Sequence, residues 1–111
     1  MRGAMTRGES VEFVLMSTAN MSKSIRVGLL AYGAIGHEHN LAVQATSGLE
    51  LTAVCDTNPD RIVAAKELAP NVASFSDALV MLDSGTLDLV VISTPPNSHY
   101  MWAKEALQRN I

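Results

Sequence analysis

Gly33 and Gly36 stand in the run Ala31-Tyr32-Gly33-Ala34-Ile35-Gly36, and an acid, Asp56, follows twenty residues after Gly36. The run lies where an apolar segment gives way to a helix-like one, the place of a G-x-G-x-x-G dinucleotide fingerprint. A diphosphate is anionic and binds against unpaired backbone N–H groups at a helix N-terminus. Glycine at 33 lets the main chain approach the phosphates with no Cβ in the way. Glycine at 36 lets the helix pack close on the strand. The amides of Ala34 and Ile35 are the candidate phosphate donors. Asp56 is the candidate for the adenosine ribose, because a carboxylate at this spacing accepts from both ribose hydroxyls and repels a 2′-phosphate. That chemistry favours NAD over NADP. The plainer reading of Asp56 is a strand-end residue capping a turn with Asn58 and Pro59. Arg61 is either a solvated helix residue or a cation that stacks on adenine and softens the NAD preference.

One position departs from the fingerprint. Ala31 stands where the first glycine belongs. If that residue needs a positive φ, alanine costs about 1–2 kcal/mol; at negative φ the methyl costs little.

The surrounding elements must bring these groups together. Short apolar runs predict strands over 25–31, 49–55, 72–75 and 87–93. Helices are expected over 35–47, from 59 to about 69, from Ser76 or Asp77 to 83, and from Asn97 onward. The first helix offers Ile35, Leu41, Ala42 and Ala45 for burial, and Gly48 is placed to stop it, since glycine accepts positive φ. Asn58-Pro59 is a helix start, with Asn58 as cap and Pro59 at a position whose amide has no intrahelical partner. Its helix buries Ile62, Ala65 and Ala69 at helical spacing. The next helix buries Leu79 and Leu82. The last one shows Ala103, Ala106 and Leu107 on one face and pairs Glu105 with Arg109 on another. The apolar core of 87–93 does not alternate, as in a parallel strand covered on both faces. A β-α-β-α-β-α-β-α order implies right-handed crossovers and a Rossmann-like, doubly wound α/β sheet of about four strands in the order 3-2-1-4.

Composition bounds the function. The chain has 111 residues, 48% hydrophobic and 17% charged, with eight bases against eleven acids and a net charge of −3. This is one domain with a real core. There is no basic stripe for nucleic acid and no apolar run that approaches a membrane span. The single cysteine, Cys55, suggests a reducing, cytoplasmic setting. Residues 1–23 lack any sustained period and read as a disordered leader; Glu9 and Glu12 interrupt what would be the apolar core of a signal peptide. Residues 24–111 read as an NAD(P)-binding Rossmann domain. His37 and His39 are two apart, do not share a helical face, and suggest no metal pair; His39 is expected to be structural. Met81, Met101 and Trp102 are expected to pack on the sheet.

Residues 24–111 resemble the coenzyme-binding domain of the glucose–fructose oxidoreductase and inositol dehydrogenase (Gfo/Idh/MocA) family. The resemblance rests on Arg26-Val27-Gly28 leading to Gly33-Ala34-Ile35-Gly36 with His39, and on Ala53-Val54-Cys55-Asp56. It continues through Asp88-Leu89-Val90-Val91-Ile92-Ser93-Thr94-Pro95-Pro96-Asn97-Ser98-His99 and the pair Ala106-Leu107. In that family the segment matching 94–99 borders the nicotinamide half of the coenzyme, so the resemblance assigns that contact to Thr94, Pro95, Asn97 and His99. Read from the residues alone, Pro95-Pro96 fixes an extended strand exit, Asn97 with Ser98 caps a helix, and His99 is a solvated or core-edge residue.

The resemblance also implies a fifth strand, a Glu-Lys-Pro motif whose lysine moves a proton, and a sheet-rich domain for a sugar or polyol. The chain ends at Asn110-Ile111, so the expectation is a domain lacking the last strands and the substrate domain. It would hold no catalytic residue of its own and would not transfer hydride alone. Lys23, Lys66 and Lys104 offer no substitute for that lysine. With order 3-2-1-4 the fourth strand is an edge, apolar on both faces, which predicts marginal stability or pairing with a second copy or another partner. Three readings follow: a dinucleotide-binding domain of a family oxidoreductase, a non-catalytic Rossmann remnant acting as an interaction module, and a different Rossmann protein such as an aspartate or homoserine dehydrogenase domain or a CoA-binding domain.

Overall fold

The computed structural model describes residues 23–111; the expectation for the leader lies outside these apart from Lys23. Strand β1 (Ile25–Leu30) leads into helix α1 (Ala34–Gln44), β2 (Leu49–Cys55), α2 (Pro59–Leu68), β3 (Ala73–Phe75), α3 (Ala78–Asp83) and β4 (Leu89–Ile92). A 3-10 turn (Pro96–Ser98) then precedes α4 (His99–Leu107). All strand pairs are parallel, in the order β3-β2-β1-β4. This is the expected doubly wound sheet. Among the described residues strand β4 pairs with β1 alone, and with Leu89 40% exposed it is an edge.

Two apolar layers cover the sheet. On one face Val27, Leu29 and Val54 pack with Val43 of α1 and Ala65 of α2; on the other Leu30, Ala53 and Cys55 pack with Met81, Leu82 and Ala106. Alternation along each strand sends successive side chains to opposite layers. Helices occupy both faces because the chain runs outward from β1 to β3 and then returns past β1 to β4, so crossovers of one hand fall on opposite sides. Among the described residues no helix is long and apolar enough to cross a membrane.

Several local expectations hold. Asn58 accepts from the amide of Asp60 with Pro59 next in the chain, Asp77 caps α3 by accepting from Leu79 and Val80, and Gly48 takes φ +90. Ile62 packs partly buried beside buried Ala65 and Ala69, and Arg109 pairs with Glu105 at 2.8 Å.

Others are corrected. Helix α1 buries Gly36, Asn40 and Val43, while Ile35 and Leu41 are 55% and 42% exposed and Ala42 and Ala45 face outward. The cause is Gly36: a Cβ there would lie 2.9 Å from the carbonyl oxygen of Ala31. That close approach fixes the rotation of the helix, and positions 40 and 43 follow on the same face. In α3 Met81 and Leu82 are buried and Leu79 is exposed; in α4 Ala106 is buried but Met101 and Leu107 are exposed. Asn97 does not cap α4. Ser98 takes the cap position, and its hydroxyl turns back to Thr94 Oγ1 and the Pro95 carbonyl instead of forward to a helix amide. Strand β4 is shorter than 87–93 because Leu87 is drawn into the second layer and the Asp88 carboxylate is taken by Arg26.

Candidate functional site

Strands β1, β2 and β4 all end at the same edge of the sheet, and their exits enclose an open cleft of about 510 Å³ bordered by Ala31, Asp56, Arg61, Thr94 and Pro95. The cleft sits where the order of connection reverses between β1 and β4, the place where open α/β sheets bind ligands.

The β1–α1 turn forms one wall. Ala31 has φ +79, the left-handed region that alanine disfavours, so the departure from glycine is strained here. Its amide is held by the Cys55 carbonyl at 2.8 Å. Gly33 occupies the N-cap of α1 and supplies no capping side chain, which leaves the first amides of the helix, those of Ala34 and Ile35, without that partner. In front of Gly33 the space is open: a Cβ there would meet only Arg61 Nη1, at 3.8 Å.

Asp56 lies across this turn. Its Oδ2 accepts from the Tyr32 amide at 2.8 Å and its Oδ1 from the Asn58 amide at 2.9 Å. Arg61 Nη1 stands 3.7 Å from Oδ2, with the carboxylate side chain 6% exposed and the guanidinium side 53% exposed. The carboxylate therefore ties the β1–α1 turn to the start of α2, the plainer reading, and also borders the cleft. Each oxygen has a second lone pair to offer. Next to it, burial and then the charges of Asp56 and Asp77 push the Cys55 thiol up to about 11, so it is a protonated, unreactive core residue at neutral pH.

Thr94 and Pro95 form the opposite wall. Asn97 and His99 do not border the cleft. Asn97 is exposed, and His99 folds back so that Nε2 lies 2.6 Å from the Thr94 carbonyl. The structure thus brings Gly33, Ala34, Ile35, Asp56, Thr94 and Pro95 to one end of the sheet, with Gly36 beneath them as a packing residue.

The sequence profile described as "Oxidoreductase family, NAD-binding Rossmann fold" (GFO_IDH_MocA) matches residues 25–111. The chain belongs to this family. Within the Gfo/Idh/MocA family, inositol 2-dehydrogenase of Corynebacterium glutamicum is 34% identical over 80 residues, covering 71% of this chain and 24% of the relative. The crystal structure of scyllo-inositol dehydrogenase from Lactobacillus casei with bound NAD(H) and scyllo-inositol superposes with a TM-score of 0.73 at 24% identity, covering 79% of this chain and 26% of that one. The WlbA dehydrogenase from Bordetella pertussis, in complex with NADH and UDP-GlcNAcA, gives 0.71 at 35% identity over 78% of this chain and 27% of its own. The chain spans about a quarter of the length of the curated relatives it matches. The described domain is the family's NAD-binding Rossmann unit, which settles the choice against other Rossmann proteins.

Sequence reasoning missed a polar cluster behind the β1–α1 turn. Tyr32 is 3% exposed, and its hydroxyl accepts from Asn40 Nδ2 at 3.0 Å and lies 2.9 Å from His37 Nδ1. Asn40 is fully buried, also reaches the Ala65 carbonyl at 3.4 Å, and accepts from Gln44. A signal existed: Asn40 is four residues after Gly36, on the face that a close-packed glycine turns inward, where an amide must find partners.

Proposed function

We propose that this domain binds NAD in the cleft between the β1–α1 turn and the β4 exit, as the coenzyme unit of an oxidoreductase acting on a sugar or polyol. The diphosphate lies at Gly33 and the amides of Ala34 and Ile35, the adenosine ribose at Asp56, and the nicotinamide half beside Thr94 and Pro95. Asn97 and His99 act on that half only through the turn they build. Gly36 serves by letting α1 pack closely. The observation that carries the reading is the Asp56 carboxylate bordering the cleft with Ala31, Thr94 and Pro95, while Gly33, two residues after Ala31, leaves open space before Arg61. A carboxylate at that place accepts ribose hydroxyls and repels a 2′-phosphate, which favours NAD over NADP. The inositol dehydrogenases among its relatives support the substrate class. The lone, buried Cys55 suits a reducing cytoplasm.

Calorimetric titration with NAD⁺ and NADP⁺ tests this. NAD⁺ is expected to bind more tightly, and Asp56→Asn to narrow the difference by roughly tenfold, the loss of one charge-assisted hydrogen-bond site. Absence of heat with either coenzyme at millimolar concentration overturns the reading.

A second reading is favoured by the β4 edge, where Leu89 is exposed and, among the described residues, β1 is the only partner strand. There the chain pairs with a second copy or another protein through strand addition. Association in solution that is lost on Val91→Pro supports it; a concentration-independent monomer counts against it.

A further inference from the structure

The cluster behind the phosphate turn has a definite proton count. Asn40 Nδ2 can only donate, so the Tyr32 oxygen accepts from it, and the phenolic proton needs another acceptor. Among the described residues the acceptor in reach is His37 Nδ1, 2.9 Å away, with the two rings edge to face at 6.0 Å. His37 accepts at Nδ1 only while neutral. When it takes a proton there, two donors face each other. The exposed imidazolium can turn to water, but the buried phenol cannot, and its O–H loses its partner.

Tyr32 is also the residue whose amide holds Asp56 Oδ2, and it directly precedes Gly33. Its ring and its backbone thus link the outer face of α1 to the β1–α1 turn and to Asp56. We propose that Tyr32 and His37 form a proton-sensitive latch that positions Asp56 and the turn, closed with neutral His37 and loosened on its protonation. The part concerning coenzyme affinity rests on the cleft being the dinucleotide site. The elements packed on α1 are β1, β2 and α2, and their charged groups at this end are Asp56, Asp60 and Arg61. Glu38 and His39 follow His37 on α1 itself. Among the described residues His37 joins no ion pair. The chain has three histidines, His37, His39 and His99.

The experiment is hydrogen exchange of the Tyr32 amide in the free protein at about pH 7.5 and about pH 5.5, corrected for intrinsic rates, with NAD⁺ affinity measured in parallel. Protection is expected to fall about fivefold at the lower pH, the effect of one unsatisfied buried donor, and NAD⁺ affinity by a similar factor. His37→Gln keeps an acceptor on a non-titrating side chain and is expected to hold both quantities within about twofold across the range. Tyr32→Phe removes the phenolic donor and is expected to flatten the pH profile as well, while His39→Gln keeps the wild-type drop. Equal wild-type protection at the two pH values, or a drop that survives in His37→Gln, overturns the latch. If protection changes as expected but NAD⁺ binds at neither pH, the latch stands and the assignment of the cleft falls.

Discussion

The two walls of the cleft are built differently. The β1–α1 wall is held from behind: Tyr32 and Asn40 are buried, Gly36 lies against the Ala31 carbonyl, and Asp56 ties the turn to α2. The β4 wall is held on one side, where β4 pairs with β1 and the Ser93 amide donates to the Leu30 carbonyl at 2.9 Å. Beyond it, Ser98 and His99 each bond Thr94 in a turn that is half-buried to exposed, and β4 stands at the edge of the sheet. Buried polar groups are costly to leave unpaired, whereas exposed ones exchange their partner for water. Damage to the first wall should therefore cost the fold and the site together, and damage to the second should cost the site alone.

The largest break in that comparison comes from Gly36→Ala. The new methyl would lie 2.9 Å from a backbone oxygen and 3.4 Å from Tyr32 Cδ1, and the backbone has little room to yield. A loss of about 1–3 kcal/mol is expected, as for other overpacked sites, with coenzyme binding lost in the same variant. Denaturant unfolding and titration on one preparation check both; a stable variant that binds normally would contradict the close approach of α1.

The same wall holds a strain that can be relieved. Ala31 at φ +79 costs about 1–2 kcal/mol as a left-handed non-glycine residue. Ala31→Gly removes that cost but gives the unfolded chain back about 0.4–1 kcal/mol of entropy. The net expectation is a gain of about 0.5–1 kcal/mol in unfolding free energy, the opposite sign to Gly36→Ala only five residues away. Unchanged or lower stability would mean that the alanine is not strained.

These opposite signs show what the sequence could and could not reveal. The spacing of Gly33, Gly36 and Asp56 encodes a main-chain path, so the order of elements, the strand order and the ends of β2 and α2 were readable from it. Which way α1 faces was not. Apolar content pointed to Ile35 and Leu41, but the rotation is set by a contact that Gly36 makes and by hydrogen bonds that make Asn40 an inside residue. In the same way Asn97 carries the right chemistry for a cap, yet Pro95 and Pro96 spend the strand exit on a 3-10 turn and pass the position to Ser98. Hydropathy reports the burial of apolar atoms; it is blind to polar groups buried because they are satisfied.

On the β4 wall His99→Ala removes one exposed contact, the 2.6 Å approach of Nε2 to the Thr94 carbonyl. Stability is expected to change by less than about 1 kcal/mol, since water replaces the partner. The Thr94–Pro95 turn loosens, and NAD⁺ affinity is expected to fall about threefold. Thermal melts and titration together test the asymmetry between the walls: a stability loss as large as that of Gly36→Ala would erase it.

The smallest expected effect lies at the far end of β4, where Arg26 Nη2 meets Asp88 Oδ1 at 2.8 Å and the Arg26 amide meets Oδ2 at 2.9 Å. The side-chain bond from Arg26, and then its amide, hold the Asp88 carboxyl down to about 2. Because its folded value lies below the ordinary carboxylate range near 4, the pair stabilises the fold fully above about pH 4. That contribution fades as the pH falls below about 4 and through about 2, and is gone only below that, where the carboxyl is protonated in both states. Both side chains are more than two-fifths exposed, so water and salt screen the attraction and the effect on stability is slight. Asp88→Asn should therefore melt slightly below wild type near neutral pH, with the gap closing on acidification and shrinking in high salt. A gap that widened toward low pH would show that Asp88 is held by something other than Arg26, and β4 would then have an anchor that its edge position does not reveal.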